Sequence, residues 1–355
     1  MACEHFPHDL HPIGPKAIIN KCTDCKEKAD LVCVTCNKGF CGSCSATHNH
    51  FVFANQLGYH CTKCAKEFPL SLHQKYSTSL PPFIPRNIKG FGLYMKAKHP
   101  KKIVVMAGAG MSTSAGIPDF RTPGTGLYDN LEKYDLPYPT AVFDIDYFEE
   151  NPQPFYTLAK ELMPGIGKYF PTPTHHFVGF LNNLKVLSML FTQNIDGLET
   201  VANIPDDKTV FAHGHYNTGH CLKCKKLVQK DEFIDDVMLG KVSKCKCGGV
   251  IKPDIVFFGE NLPKRFFDSF KYVKDCDLLI CIGTSLVVEP FASLAEMPEL
   301  GTPRVLINME DVGDFNYKDD LKLLGKCDDI IFDIVNEIGQ KDAFQKYLDA
   351  FEFKK

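Results

Sequence analysis

Residues 102–121, KIVVMAGAGMSTSAGIPDFR, constrain the fold more than any other stretch of the chain. Ile103, Val104, Val105 and Met106 form an unbroken apolar run, the pattern of a strand buried on both faces. The run stops at Gly108-Ala109-Gly110, followed by Met111, Ser112, Thr113, Ser114 and a helix-like continuation. Glycines let a backbone approach a ligand, and the N–H groups of a helix start face an anion. Strand, glycine turn and hydroxyl-rich helix start together make a phosphate site. A tight strand-to-helix turn also calls for glycine, which is the plainer alternative. The spacing departs from the dehydrogenase fingerprint: Thr113 stands at the third position after Gly110, where glycine or alanine belongs. No clear ribose-binding acid follows about twenty residues on. The turn points to a nucleotide and away from hydride transfer.

Strand-like apolar runs recur at 103–107, 186–192, 278–282, 305–308 and 330–332, separated by helix-like segments such as 155–162 and 175–183. This alternation predicts an α/β fold with a doubly wound, Rossmann-like, mostly parallel sheet. Ligands then bind beyond the carboxyl ends of the strands. Polar residues gather at those ends, in Gln193-Asn194-Ile195-Asp196, His213-Gly214, Gly283-Thr284-Ser285 and Asn308-Met309-Glu310. Amides buried at a strand tip need partners, which a ligand would supply. The first group also reads as a helix start with Asn194 or Asp196 as N-cap. A lone histidine such as His213 is most often structural, although an imidazole with an ordinary pKa near ~6.5 suits proton transfer at neutral pH. Residues 122–173, rich in aromatics and proline, read as a helical insertion, and 344–351 as a packing helix.

Sixteen cysteines would suit a disulfide scaffold, but no secretory segment opens the chain, and CxxC pairs then point to zinc. No apolar run reaches the ~18 residues of a membrane span. Ala2 stands where N-myristoylation requires glycine, and Phe353-Lys354-Lys355 is no prenylation box. A net charge of −3 gives no basic field for nucleic acid. A cytoplasmic and/or nuclear protein without membrane or nucleic-acid partner is expected. Cys221-x2-Cys224-x20-Cys245-x-Cys247 predicts one zinc held by four thiolates with no open position, hence structural. Upstream stand Cys3-x-His5, Cys22-x2-Cys25, Cys33-x2-Cys36, Cys41-x2-Cys44, His48-x-His50 and Cys61-x2-Cys64, twelve ligands for three tetrahedral zincs. The preferred pairing joins Cys22, Cys25, Cys41 and Cys44; then Cys33, Cys36, His48 and His50; and closes with Cys3, His5, Cys61 and Cys64. His8, His11 and His60 are alternative ligands. Residues 1–76 are too poor in apolar content to fold without metal. Pro81, Pro82 and Pro85 make 77–88 an extended linker.

Together these motifs resemble the sirtuin family, the NAD-dependent protein deacylases. The resemblance rests on Gly116-Ile117-Pro118-Asp119-Phe120-Arg121 after the glycine turn, Thr192-Gln193-Asn194-Ile195-Asp196, His213-Gly214 and the four-cysteine set. It continues through Pro253-Asp254-Ile255-Val256-Phe257-Phe258-Gly259-Glu260, Gly283-Thr284-Ser285-Leu286 and Ile307-Asn308, and covers roughly residues 89–344. TGLYDNLEKYDLPYP at 125–139 and KPDIVFFGENLP at 252–263 look like class I, nearest the mainly cytoplasmic tubulin- and histone-deacetylating branch. The resemblance implies a catalytic domain at 89–345, with a zinc and helical subdomain (zinc module about 215–255) and a tail at 346–355.

The implied activity is NAD-dependent protein-lysine deacetylation, giving nicotinamide, free lysine and O-acetyl-ADP-ribose, with histone- or tubulin-like tails as substrates. The resemblance makes His213 the general base, with Asn194 and Asp196 orienting the nicotinamide ribose and carboxamide. It adds Ala109, Gly110, Met111, Ser112, Thr113, Asp119, Phe120, Arg121, Gln193, Ile195, Thr284, Ser285, Asn308, Met309, Glu310 and Cys327 as NAD contacts. Phe120, Val256 and Phe257 would line an acetyl-lysine tunnel, the strand at 255–258 pairing with the substrate backbone. No arginine follows Tyr128 to bind an acidic acyl group. The alternatives are an NAD-consuming mono-ADP-ribosyltransferase or glycohydrolase, and an interaction protein working through its finger. The N-terminal ligand order resembles the ubiquitin-protease-type zinc finger, and its middle eight ligands a B-box. Leu31 stands where that finger has tryptophan, and Gly42-Ser43 replaces Gly-Arg. Its implied partner is ubiquitin or, favoured by these departures, another protein.

Overall fold

The computed structural model describes residues 81–119, 136–162 and 168–352, with Gly124, Gly126 and Leu131 between them. Near the N-terminus it describes the backbone of two antiparallel pairs, Leu31–Val32 with Gly39–Phe40 and Phe51–Asn55 with Gly58–Cys61. The expected zinc ligands Cys3, His5, Cys22, Cys25, Cys33, Cys36, Cys41, Cys44, His48, His50 and Cys64 lie outside the described residues, as does the side chain of Cys61.

Strand β1 (Ile103–Ala107) has every residue buried, which its unbroken apolar run anticipates. Ile103, Val105 and Ala107 face one core, and Val104 and Met106 face another. Around it lie β2 (Leu187–Thr192), β3 (Thr209–Phe211), β7 (Leu278–Ile282), β8 (Arg304–Asn308) and β9 (Asp320–Leu324), in the order β9-β8-β7-β1-β2-β3, with every pairing parallel. The register sets Ala107 level with Thr192 and Ile282, Thr192 with Phe211, and Ile282 with Ile307. The polar groups that follow these strands therefore emerge in one row.

Helices α1 (Ile88–Lys98), α3 (Pro173–Asn183), α4 (Cys327–Glu337) and α5 (Lys341–Glu352) supply Phe91, Phe177, Ile334 and Phe344 to the first core. The opposite face is covered by Phe266, Phe291 and Leu294. The sheet is thus doubly wound. Asn87 caps α1 by accepting the Gly90 N–H, and Thr172 caps α3 in a capping box with His175. The end of the proline segment belongs to the core: Phe83 is buried, its ring centroid 5.1 Å from that of Tyr94.

Two expectations are corrected. Residues 330–332 form no strand but lie in α4, because Ile330, Ile331, Ile334 and Val335 bury at helical spacing. The sixth strand is β9, whose Asp320 and Lys322 interrupt the apolar pattern. Asp320 is held by Arg304, Nε to Oδ1 at 2.8 Å and an Nη to Oδ2 at 2.7 Å. The second correction is the glycine turn. No α-helix follows it, only two 3-10 turns, Ala109–Met111 and Thr113–Ala115, ended by Gly116 at φ 88°.

A second unit stands beside the sheet. In it β4 (Gly214–Cys221) pairs antiparallel with β5 (Leu227–Gln229) on one side and β6 (Ile251–Ile255) on the other. Pro253 fits β6 because that strand is an edge. Helix α2 (Gln153–Leu162) packs Phe155, Tyr156 and Leu158 into its core, where Phe257 meets Phe148 edge to face at 5.3 Å. Among the described residues no helix is long and apolar enough to cross a membrane.

Candidate active site

A cleft of about 1260 Å³ opens at the carboxyl ends of the parallel strands and reaches the end of β6. Its floor is the junction of the loops after β1 and β7. Gly110 N–H donates to the Gly283 carbonyl at 2.8 Å. Gly283 has φ +60°, and a Cβ there would sit 2.5 Å from Met111 N; a Cβ on Gly108 would sit 2.7 Å from the Gly283 oxygen. Only glycines let these two backbones interlock. Thr284 Oγ1 donates to Gln193 Oε1 at 2.7 Å, tying the β7 loop to the tip of β2.

Behind the floor runs a buried polar chain. Asn194 Nδ2 donates to the Gly108 carbonyl at 3.2 Å and lies 3.4 Å from Ser112 Oγ. Ser112 Oγ donates to Asp196 Oδ2 at 2.6 Å, and Leu198 N–H donates to Asp196 Oδ1 at 2.9 Å. Asp196 therefore accepts the first N–H of the short helix Leu198–Val201, whose N-cap is Gly197, and also closes the site. The Thr172 N–H donates to His175 Nδ1 at 3.2 Å, so His175 Nε2 carries the proton and faces Ser112 Oγ at 3.5 Å. Burial drives His175 down to about 3. Glu199 is wholly buried, accepts from Thr192 Oγ1 at 2.5 Å, and is held well above the carboxylate range by burial and by Asp196. Burial raises Asp196 as well.

His213 lines the cleft with Nδ1 3.2 Å from the Gln193 carbonyl oxygen. A carbonyl only accepts, so Nδ1 carries the ring proton and Nε2 is the accepting nitrogen. Its carbonyl takes the Val256 N–H at 2.9 Å, which joins the base to the segment after β6. Residues 256–258 are not strand. The Phe257 and Phe258 N–H groups are spent on the Glu260 carboxylate at 2.8 Å and the Phe143 carbonyl at 2.7 Å.

At the far end Asn308, Met309 and Glu310 line the cleft with the N-terminus of α4. Asp328 Oδ2 accepts from Ser114 Oγ, and its Oδ1 from Thr174 Oγ1, both at 2.5 Å. Burial pushes the Cys327 thiol up to about 12, so this cysteine carries no thiolate.

Of the sequence-predicted residues, Ala109, Gly110, Thr113, Asp119, Gln193, Asn194, Ile195, His213, Val256, Phe257, Thr284, Ser285, Asn308, Met309, Glu310 and Cys327 line this cleft. Met111, Ser112 and Asp196 lie buried behind it. Phe120 and Arg121 lie outside the described residues. His175 and Glu199 were not found from sequence. The one available signal for Glu199 was its position three residues after Asp196, one helical turn on.

Apart from the cleft, Cys221, Cys224, Cys245 and Cys247 hold their sulfurs within 4.8 Å of one another. Cys221 and Cys247 are 3.4 Å apart, Cys224 and Cys245 3.8 Å. A tetrahedral ion with Zn–S near 2.3 Å needs sulfurs about 3.8 Å apart, so the four fit a zinc. The Cys224 N–H lies 3.5 Å from the Cys221 sulfur, a donor placed to stabilise a thiolate there.

The sequence model of the Sir2 family matches residues 108–290, just over half of the chain. The chain is 48% identical over 253 residues to "NAD-dependent protein deacetylase hst2" of Schizosaccharomyces pombe, covering 70% of this chain and 76% of that protein. It is 46% identical over 275 residues to "NAD-dependent deacetylase sir2A" of Dictyostelium discoideum, covering 73% of this chain and 53% of that longer protein. With "NAD-dependent protein deacetylase sirtuin-2" of Danio rerio it shares 50% over 221 residues, 61% of this chain and 58% of the relative.

Proposed function

The chain belongs to the Sir2 family, and from that premise we infer that it is an NAD-dependent protein-lysine deacetylase working in the cleft between the parallel sheet and the ribbon unit. One observation carries the reading. The register of four strands brings the interlocked glycine turns, Gln193–Asp196 and His213 to a single row beside Val256 and Phe257. The cleft suits NAD: glycine backbones give room for phosphates, the α4 N-terminus faces an anion, and buried amides stand at the strand tips. NAD supplies a ribose carbon that gives up nicotinamide and takes the acyl oxygen.

The protein's part is binding, orientation and one proton. The Ala109–Thr113 turn with Thr284 and Ser285 holds the phosphates. Asp119, Phe120 and Arg121 form the loop over the cofactor. Asn194 and Asp196, fixed through Ser112, orient the nicotinamide half, with Gln193 and Ile195 beside them. Asn308, Met309, Glu310 and the backbone at Cys327 hold the adenosine half. Phe120, Val256 and Phe257 enclose the acyl-lysine of an acetylated cytoplasmic or nuclear protein. His213 accepts the proton of a ribose hydroxyl at Nε2, its Nδ1–H anchored on the Gln193 carbonyl.

The four-cysteine cluster binds one structural zinc in a catalytic domain spanning 89–345. Residues 1–76 form a three-zinc interaction module, joined by the segment 77–88. Metal analysis of the full chain tests this: four zincs per chain are expected, and one would remove the N-terminal assignment.

The activity test mixes the chain with NAD and an acetyl-lysine peptide and follows both products by mass spectrometry. Nicotinamide and deacetylated peptide should appear in equal amounts. Loss of the base in His213→Tyr should reduce the rate by roughly 10²–10⁴-fold. Nicotinamide released without peptide would establish the glycohydrolase or transferase reading instead.

A further inference from the structure

Lys252 is a buried lysine on β6, its side chain 7% exposed, and lies outside the roles assigned above. Its ammonium has three N–H groups and three acceptors. They are Glu260 Oε2 at 2.8 Å, the Ile255 carbonyl at 2.6 Å and, more loosely, the Pro253 carbonyl at 3.3 Å. The Phe257 ring covers it at 4.3 Å. The same Glu260 oxygen accepts the Phe257 N–H at 2.8 Å, and the Glu260 N–H returns to the Phe257 carbonyl at 3.0 Å.

One ion pair thus gathers backbone groups of residues 253, 255 and 257. Along this stretch the ladder to β4 loses its register and stops at Ile255. Backbone groups leaving a ladder need new partners when buried. An ion pair with its lysine buried and its carboxylate 31% exposed is a poor choice for stability alone, since a well-packed apolar residue in place of the lysine does as well or better. What this pair fixes is the course of the chain that brings Val256 and Phe257 to the cleft and joins Val256 N–H to the His213 carbonyl.

We propose that Lys252 and Glu260 form a clasp that presets residues 253–257 as the docking edge for the acyl-lysine peptide, acting as positioning residues for the protein substrate and not for NAD. The clasp rests on the deacetylase reading.

The test uses the full-length chain, Lys252→Met and Glu260→Gln, with NAD, an acetyl-lysine peptide and amide hydrogen exchange. Lys252→Met should raise the peptide KM roughly tenfold, the ratio that ~1.4 kcal/mol represents. The KM for NAD and kcat should change less than about twofold on the same scale. Exchange should quicken at the Val256 and Phe257 amides and stay unchanged in β1 and β7. Glu260→Gln keeps an acceptor for the Phe257 N–H but loses the charge, so the same split should appear at smaller size; it also serves if Lys252→Met does not fold. Equal losses for both substrates, or unchanged peptide KM and exchange in the folded variants, would overturn the clasp. An inactive wild-type chain would sink the deacetylase reading. In that case quickened exchange confined to 253–258 supports the clasp, and unchanged exchange rejects it.

Discussion

Glu199 and His175 are wholly buried beside Asp196, the three side chains bringing their polar atoms within 4.8 Å of one another, and burial shifts their pKa values in opposite senses. The Glu199 carboxyl keeps its proton in the folded chain above the pH at which the unfolded chain releases it. Its contribution to stability is complete below pH ~4.5 and lost as pH rises through the folded value. His175 is neutral when folded, so its contribution is lost as pH falls below ~6.5. Between these limits the two slopes oppose each other. Above pH ~6.5 the histidine no longer opposes, and the Glu199 carboxyl, raised by burial and by its neighbour Asp196, should let stability fall by up to ~1.4 kcal/mol per pH unit. Calorimetry should show a falling Tm from pH 6.5 to 8. Glu199→Gln should flatten that limb and leave the acid-side rise intact; an unchanged slope would refute the assignment. These two residues were illegible in the sequence for a physical reason. Each gains a role only when Ser112, Thr172 and the 192–196 tip of β2 converge from three separate segments. His213, by contrast, stood out through the glycine beside it.

That glycine acts at the level of strands. Gly214 opens β4 at φ +77°, and a Cβ there would fall 1.9 Å from the Asp254 carbonyl oxygen. Gly214→Ala cannot keep the β4–β6 ladder closed. Chemical denaturation should show a loss above the ~1–3 kcal/mol of left-handed strain alone, because the clash adds to it. Activity should drop with stability, since the Val256–His213 bond spans the same joint. Strands β1, β2, β7 and β8 were readable because strands buried on both faces leave continuous apolar runs. The edge strand β9 was not, since an edge tolerates Asp320 and Lys322. The run at 330–332 misled because three apolar residues fit a helix as well as a strand. The glycine turn implied a helix start, but the chain makes only two short 3-10 turns there, the second ended by Gly116 in the left-handed region.

The described residues divide into a sheet unit with two apolar layers and a ribbon unit with its own aromatic core. Of these two, the ribbon carries the four-cysteine cluster. A chelator strong enough to strip the four cysteines should abolish activity and speed amide exchange in β4–β6, while β1 and β7 stay protected. Uniform exchange throughout would show a single cooperative unit. The doubly wound sheet was legible from alternating elements; the strand order was not, because no residue pattern states which strand neighbours which. The cleft was legible as a set of motifs, and the resemblance already set residues 255–258 beside it; how the ribbon reaches it came with the register of β6.

That register has a last consequence. Ile251 lies opposite Cys221, one of the four clustered cysteines, and Ile255 lies opposite Gly214, next to His213. One five-residue strand therefore has the proposed zinc site at one end and the proposed acyl-lysine site at the other. Coupling between two binding events is reciprocal. If zinc stiffens the strand for the peptide, the peptide must tighten the strand's hold on zinc. Chelator-driven zinc release, followed by a colorimetric dye, should slow when saturating acetyl-lysine peptide and NAD are present. Equal release rates would mean that the two ends of the strand do not communicate. A cell short of zinc would then lose this activity first where acetylated substrate is scarce, so substrate supply would act as a reserve against metal loss.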